Sequence, residues 1–268
     1  MQRPFRHKKK FGQNFLTDPA LLKRIAAICS PERPVLEIGA GAGALTAALA
    51  DRFPLVAALE IDRDLAPLLS DRFAARDNVH LYLTDARRLN FDALMQDLNA
   101  AQYAIVANLP YYITTPLLMQ AVEEAPGAQE MVFMVQKEVA DRLCASPGTK
   151  SYGAVSVAVQ YRCHIDTALQ VGRRAFTPPP EVDSAVVHLR RKRPEVPTAA
   201  GAFRQTVRAA FSQRRKTLRN SLKATGLPAD HLDRALAACA IDPGRRAETL
   251  TVDEFAHLAN ALYPSEKG

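Results

Sequence analysis

Asn108-Leu109-Pro110-Tyr111 follows directly on the apolar run 103–107. These residue types suit an amine conjugated to a planar ring, such as the exocyclic nitrogen of adenine. The lone pair of that nitrogen is delocalised into the ring, which makes it a poor nucleophile. Acceptors that bond its hydrogens favour a geometry in which the lone pair points at an incoming group. Asn108 offers a side-chain carbonyl. Leu109 offers a backbone carbonyl, and Pro110 stiffens the turn that aims it. Tyr111 offers an aromatic face to a base drawn out of its stack. Phe176 heads the stretch Phe176-Thr177-Pro178-Pro179-Pro180-Glu181-Val182-Asp183-Ser184 and is a second aromatic candidate for the other face of the base. Three prolines make a connector with little entropy to lose. Taken alone, the tetrapeptide also reads as a plain turn, and Phe176 as a core residue.

A second constellation precedes this one. Glu37-Ile38-Gly39-Ala40-Gly41-Ala42-Gly43 joins a strand-like run to a helical one. Glycines belong where a backbone turns sharply and lies against a ligand. Glu60 ends the next apolar run, about 20 residues on, where a carboxylate can accept from ribose hydroxyls. Asp85, in Thr84-Asp85-Ala86, ends the third and could accept from an adenine amino group. The spacing G-x-G-x-G is one residue short of the dinucleotide fingerprint. S-adenosylmethionine, a nucleoside cofactor without phosphate, does not require that fingerprint. A direct methyl transfer from it needs no His, Cys or Asp nucleophile.

The elements that must position these residues alternate. Strand-like runs at 34–38, 55–61, 79–84, 103–107 and 131–135 are separated by helical patterns at 44–52, 64–73, 91–98 and 115–124, with another at 137–143. Continuous apolar strands between amphipathic helices predict an α/β fold with a parallel sheet covered on both faces. Asp18-Pro19 reads as a helix start. The stretch 152–161 fits helix or strand equally. Two further strands are expected at 164–171 and 184–189, then a linker at 192–197. Helical patterns follow at 202–211, 218–224, 231–239 and 252–262. The expected division is a catalytic domain over 1–194, with a basic arm at about 1–10, and a small all-helical C-terminal domain over 195–268.

The net charge is +7, and its distribution is uneven. Arg3, Arg6, Lys8, Lys9 and Lys10 precede the first acid, Asp18. Between Arg190 and Lys223 stand eleven Lys or Arg and one acid, Glu195. Such segregation costs self-repulsion that a nucleic-acid backbone would relieve, although a solvated surface also fits. Cys29, Cys144, Cys163 and Cys239 form no C-x-x-C pair, so neither a metal site nor a disulfide framework is expected, and a reducing cytoplasm fits. No apolar run reaches the ~18 residues that span a bilayer, and no h-region follows the basic arm.

The chain resembles the KsgA/RsmA family of small-subunit ribosomal RNA adenine dimethyltransferases. The matching stretches are Phe11-Gly12-Gln13-Asn14-Phe15-Leu16, Glu37 to Gly41, Glu60-Ile61-Asp62, Asp85-Ala86, Asn108 to Tyr111, Gln136-Lys137-Glu138-Val139 and Phe176 to Ser184. The resemblance implies a Rossmann-like seven-stranded S-adenosylmethionine-dependent sheet with a small helical domain behind it. It implies that Asn14 and Leu16 help to close over the cofactor, and that Gly39, Gly41, Glu60, Ile61, Asp85, Ala86 and Asn108 line its pocket. The implied substrate is a pair of adjacent adenines near the 3′ end of 16S rRNA, each dimethylated within a late 30S assembly particle. A cytoplasmic location and a monomer are expected. Lys8, Lys9, Lys10, Arg214, Arg215, Lys216 and Arg219 are the expected RNA contacts. Tyr112 departs from the Asn common at its position, and Ala40 replaces a frequent proline.

Three other readings compete. A related 23S rRNA adenine dimethyltransferase shares the glycine turn but tends to carry Ile where Leu109 stands. A nicotinamide oxidoreductase would use the same sheet. A non-catalytic RNA-binding assembly factor would keep the pocket as a relic.

Overall fold

The computed structural model describes residues 15, 16, 18–213 and 215–264. In chain order the elements are β1 (Phe15–Leu16), α1 (Pro19–Ala26), β2 (Val35–Ile38), α2 (Ala44–Ala50), β3 (Val56–Glu60), α3 (Ala66–Phe73), β4 (Val79–Leu83), α4 (Phe91–Asp97), β5 (Tyr103–Asn108) and α5 (Tyr111–Glu124). Then come β6 (Ala128–Gln136), α6 (Lys137–Leu143), α7 (Ala154–Arg162), β7 (Cys163–Val171), β8 (Phe176–Thr177) and β9 (Ser184–Arg191). Four helices close the chain: α8 (Ala200–Ala210), α9 (Leu218–Leu222), α10 (Ala229–Ala238) and α11 (Val252–Leu262). Two compact units emerge, one of Met1–Ala140 with Ile165–Arg191, the other of Asp141–His164 with Lys192–Gly268.

The first unit is built on a seven-stranded sheet of order β4-β3-β2-β5-β6-β9-β7. Strands β2 to β6 pair in parallel where they adjoin, and β9 runs antiparallel to β6. Every residue of β2 and β3 is buried, which is what a strand covered on both faces requires. Asp18 caps α1, its carboxylate accepting from the amides of Ala20 at 2.9 Å and Leu21 at 3.4 Å. Leu21, Leu22 and Ile25 then face the core. Arg191 closes the other end of α5. Its guanidinium donates to the carbonyls of Ala121, Val122 and Ala125, three of the orphan acceptors at that helix end, and to Ala128.

The second unit has its own core, formed by Tyr152, Val157 and Tyr161 with Phe203, Leu222, Leu236, Phe255 and Leu258. The ambiguous stretch 152–161 resolves here: Ala154–Arg162 is helix α7. Its Tyr161 ring stacks on Phe203 with centroids 3.9 Å apart, and the hydroxyl donates to the Val196 carbonyl at 3.0 Å. That pairing also shifts the boundary expected after 194, because 141–164 groups with the C-terminal helices. A helix of nine residues with apolar side chains around it has no period that could announce which core it joins.

Candidate active site

Strand order reverses between β2 and β5. From β2 the chain moves to β3 and β4 on one side, and β5 continues to β6 on the other. The carboxyl ends of the strands leave a crevice at such a point, where α/β sheets hold ligands. The glycine turn follows β2 there, with Gly39, Gly41 and Gly43 all at positive φ. A Cβ at Gly39 would stand 3.7 Å from the Asn108 carbonyl oxygen, so this turn and the end of β5 are immediate neighbours.

Glu60, at the end of β3, is 6% exposed and holds the turn in place. Its Oε2 accepts from the Gly41 amide at 2.7 Å, and its Oε1 from the amides of Ile61 and Asp62, both at 2.8 Å. The Gly41 N–H that would face a pyrophosphate in a dinucleotide site is thus committed to a carboxylate. A carboxylate has about four lone-pair directions, so with three amides bound there is room for about one further donor such as a hydroxyl. The site therefore fits a nucleoside cofactor without phosphate.

Asp85 follows β4 and caps the short turn Ala86–Arg88, accepting from the Arg87 amide at 3.1 Å. The Arg87 side chain clasps the same carboxylate, with Nε 3.0 Å from Oδ1 and Nη2 2.6 Å from Oδ2. This hydrogen bonding holds the Asp85 carboxyl below its ordinary range. Gln120 of α5 donates to the carbonyls of Ala86 and Leu89, at 3.1 and 2.8 Å. The turn bearing Asp85 is thereby tied to the helix that starts at Tyr111.

Asn108 ends β5, and among the described residues its side-chain amide makes no hydrogen bond. The Pro110 carbonyl accepts from Ile113 N and Thr114 Oγ1, both at 3.1 Å, and so starts α5. The Leu109 carbonyl lies outside that ladder, while its side chain is buried. Tyr111 is pinned by a 2.7 Å hydrogen bond between its hydroxyl and Ser184 Oγ on β9. Burial raises the Tyr111 pKa, the Ser184 bond opposing it in part. Phe176 is buried, packs with the core and also lines the pocket. It pairs with Leu16 in a two-stranded antiparallel sheet of β1 and β8, which brings Leu16 to the same pocket.

Leu16, Gly39, Gly41, Glu60, Ile61, Asp85, Ala86, Asn108, Leu109, Pro110, Tyr111 and Phe176 thus all line one cavity. Asn14, Lys8, Lys9, Lys10 and Arg214 lie outside the described residues. Arg215 and Lys216 are exposed. Arg219 instead grips Asp233 through Nε at 2.5 Å and Nη2 at 2.7 Å, a pair within the second unit. Sequence reasoning overlooked Arg87, Ser184 and Gln120. Arg87, two residues from Asp85, was within reach of inspection. Ser184 and Gln120 are placed by tertiary pairing alone.

Glu37 on β2 is fully buried, and neither carboxyl oxygen has a described hydrogen-bond partner. Burial pushes its pKa up to about 8, with the Thr46 hydroxyl lowering it and Glu60 raising it. Elsewhere in this unit, Cys29, Glu130 and His188 bring potential metal-ligand atoms within 4.8 Å of one another. Arg190 approaches His188 Nδ1 at 3.3 Å and can only donate, so the proton of a neutral ring sits on Nε2, facing Glu130 at 3.1 Å. Arg33 reaches the other Glu130 oxygen at 3.5 Å. Arg33 and the His188 ring are thus the described partners of the half-buried Glu130 carboxylate.

Residues 4–263 match the family described as ribosomal RNA adenine dimethylase. The ribosomal RNA small subunit methyltransferase A of Geobacillus kaustophilus is 45% identical over 271 residues, covering 97% of this chain and 92% of that protein. The protein of the same name from Bacillus cytotoxicus is also 45% identical, over 270 residues, covering 97% of this chain and 92% of that protein. Among solved structures, a dimethyladenosine transferase from Plasmodium falciparum superposes with a TM-score of 0.78 at 27% identity, covering 91% of this chain and 95% of that one. The 23S rRNA methyltransferase ErmE superposes with a TM-score of 0.69 at 28% identity, covering 93% and 99%. With the glycine turn, Glu60, Asp85 and the Asn108–Tyr111 acceptors gathered in one crevice, and a family match over nearly its whole length, the chain belongs to the ribosomal RNA adenine dimethylase family of methyltransferases.

Proposed function

We propose that this protein transfers methyl groups from S-adenosylmethionine to N6 of two adjacent adenines in the 3′-terminal hairpin of 16S rRNA, during late assembly of the small ribosomal subunit. The observation that carries the reaction is the meeting of Glu60, Asp85 and the Asn108–Leu109 carbonyls in one pocket. Two relatives at 45% identity bear a small-subunit name, which favours that rRNA over the large-subunit one.

When bound, S-adenosylmethionine would supply an electrophilic methyl group on a cationic sulfonium, which leaves as a neutral thioether. The chain's own work is to hold and orient. Glu60 is placed for ribose hydroxyls, Asp85 for an adenine amino group, and Gly39 and Gly41 keep side chains out of the cofactor's way. The Asn108 and Leu109 carbonyls accept from the two N–H groups of the target amine, turning its lone pair toward the pocket. Tyr111, steadied by Ser184, presents a ring to the base, and Phe176 bounds its other side. Orientation of this kind is worth on the order of 7 kcal/mol or more. The proton leaves after the nitrogen has become cationic, so no strong base is required at the amine.

The helical unit, with Arg215 and Lys216 exposed, is the proposed docking surface for rRNA phosphates within the 30S particle. A cytoplasmic monomer is the accompanying proposal. No disulfide joins the four cysteines, which suits a reducing compartment, and no described helix is long and apolar enough to cross a membrane. The test treats undermethylated ribosomal particles with the purified chain and labelled cofactor, then maps the modified adenines. Two adjacent dimethyladenines in 16S rRNA are expected. Label confined to 23S rRNA would overturn the choice of substrate, and tight binding of NADH in place of S-adenosylmethionine would overturn the reaction.

A further inference from the structure

Tyr112 stands in the first turn of α5, next to the pinned Tyr111, yet its side chain turns outward and is 62% exposed at the rim of the pocket. An exposed ring at a cavity mouth offers an accessible stacking face. Two cations stand nearby: Arg87 lines the same pocket, and Arg88 lines the adjoining cleft. Arg87 is held in position by Asp85. Arg88, the next residue, is 86% exposed and only reaches Asp85 at 4.0 Å, so its guanidinium is open to a partner. Arg87 and Arg88 also form one wall of a second cleft beside the pocket, which includes Asn90, Gln120 and the acid Glu124.

An exposed ring beside an immobilised arginine and an open one combines a stacking surface with anion recognition. That combination matches single-stranded nucleic acid, in which bases stack on aromatic faces and phosphates meet guanidinium groups. The match to ribosomal RNA adenine dimethylases favours nucleic acid over an acidic peptide as the occupant. The target adenine, taken by Tyr111 and the Asn108–Leu109 carbonyls, is covalently joined to neighbours that must also leave the stack. We propose that Tyr112, Arg87 and Arg88 form a subsite for the nucleotide flanking the target adenine, its base stacked on Tyr112 and its phosphate on Arg88. This deepens the rRNA adenine reading and rests on it. With two adjacent target adenines, the subsite holds one while the other is in the pocket, and so sets how efficiently the second is modified.

The test uses the full chain, undermethylated small-subunit particles and tritiated S-adenosylmethionine. Tyr112→Ala is expected to raise KM for particles about tenfold, in the range found for loss of one base–aromatic stack. It is also expected to lower the ratio of modification at the second adenine to that at the first. Tyr112→Phe should restore both, because stacking needs the ring and not the hydroxyl. Arg88→Ala should raise KM and reduce the salt dependence of particle binding by about one phosphate contact. S-adenosylmethionine affinity, measured by calorimetry, should stay within about twofold in all three variants. An unchanged KM in Tyr112→Ala, or failure of Tyr112→Phe to restore it, overturns the subsite alone. Loss of cofactor affinity in Tyr112→Ala also overturns it, since the ring would then belong to the cofactor pocket. If the unaltered chain places no label in 16S rRNA, the reading of the reaction fails and the subsite falls with it.

Discussion

Among the described residues the Asn108 side-chain carbonyl and the Leu109 carbonyl receive no hydrogen bond. Glu60 is occupied by three backbone amides and Asp85 by Arg87. Asn108→Ala removes one of the two open acceptors. Single-turnover methyl transfer is expected to slow by about a hundredfold or more, the usual cost of one donor or acceptor aimed at a reacting group. Its melting temperature should stay close to that of the parent, because no described hydrogen bond is lost. Glu37 gives a prediction of another kind. Its pKa is raised from 4.5 to about 8 in the fold, so between those values the folded chain keeps a proton that the unfolded chain has released. Stability contributed by that retained proton is full at acid pH and is lost as pH rises toward 8. Glu37→Gln cannot titrate, and its melting temperature should fall less steeply between pH 5 and pH 8. Parallel curves for the two proteins would show that Glu37 does not govern the slope.

At the scale of elements, the glycine turn has a packing role separable from ligand binding. Gly43 starts α2 at φ +79°, and a Cβ there would meet Phe73 Cε2 of α3 at 2.7 Å and Leu69 Cδ2 at 3.1 Å. Both neighbours are buried, so relief requires α3 to move. Gly43→Ala is expected to destabilise the protein by about 2 kcal/mol, through strain at positive φ and overpacking together. Urea unfolding should show a lower midpoint with an unchanged slope. The strands themselves were legible from continuous apolar runs, since β2 and β3 are buried along their length and β5 up to Ala107. Strands β1 and β8 were not. Each has two residues, and Leu16 meets Phe176 only because distant loops are brought together. Two residues carry no periodicity, so nothing local marks them as a sheet.

Across the whole molecule the excess positive charge is the dominant electrostatic feature, with eleven basic residues and one acid between Arg190 and Lys223. Charge alone does not say which of these side chains are available. Arg219 is held by Asp233 and Arg191 by the end of α5, whereas Arg215 and Lys216 are exposed. Reversing charge at Arg215 and Lys216 together should weaken binding to small-subunit particles and lower the slope of log affinity against log salt by about two. Cofactor affinity should be unaffected. An unchanged slope would remove these residues from the docking surface.

From the sequence alone came the alternation of strands and helices, the glycine turn, the acids at the ends of successive strands and the acceptor segment after the fourth. These features are local: each is written in residue type and spacing over a few positions. Their family resemblance was legible for the same reason. Only the tertiary structure decided that Ser184 steadies Tyr111 across 73 residues and that Gln120 ties the Asp85 turn to α5 across 34 and 31. It also decided that 141–164 joins the C-terminal helices and that Arg87 clasps the Asp85 carboxylate. The acceptor segment Asn108-Leu109-Pro110-Tyr111 was visible as a string, but its two open carbonyls and its anchored ring depend on partners from other elements. Hydrogen bonds between distant residues leave no periodic trace in a chain, because their spacing is set by how the layers pack.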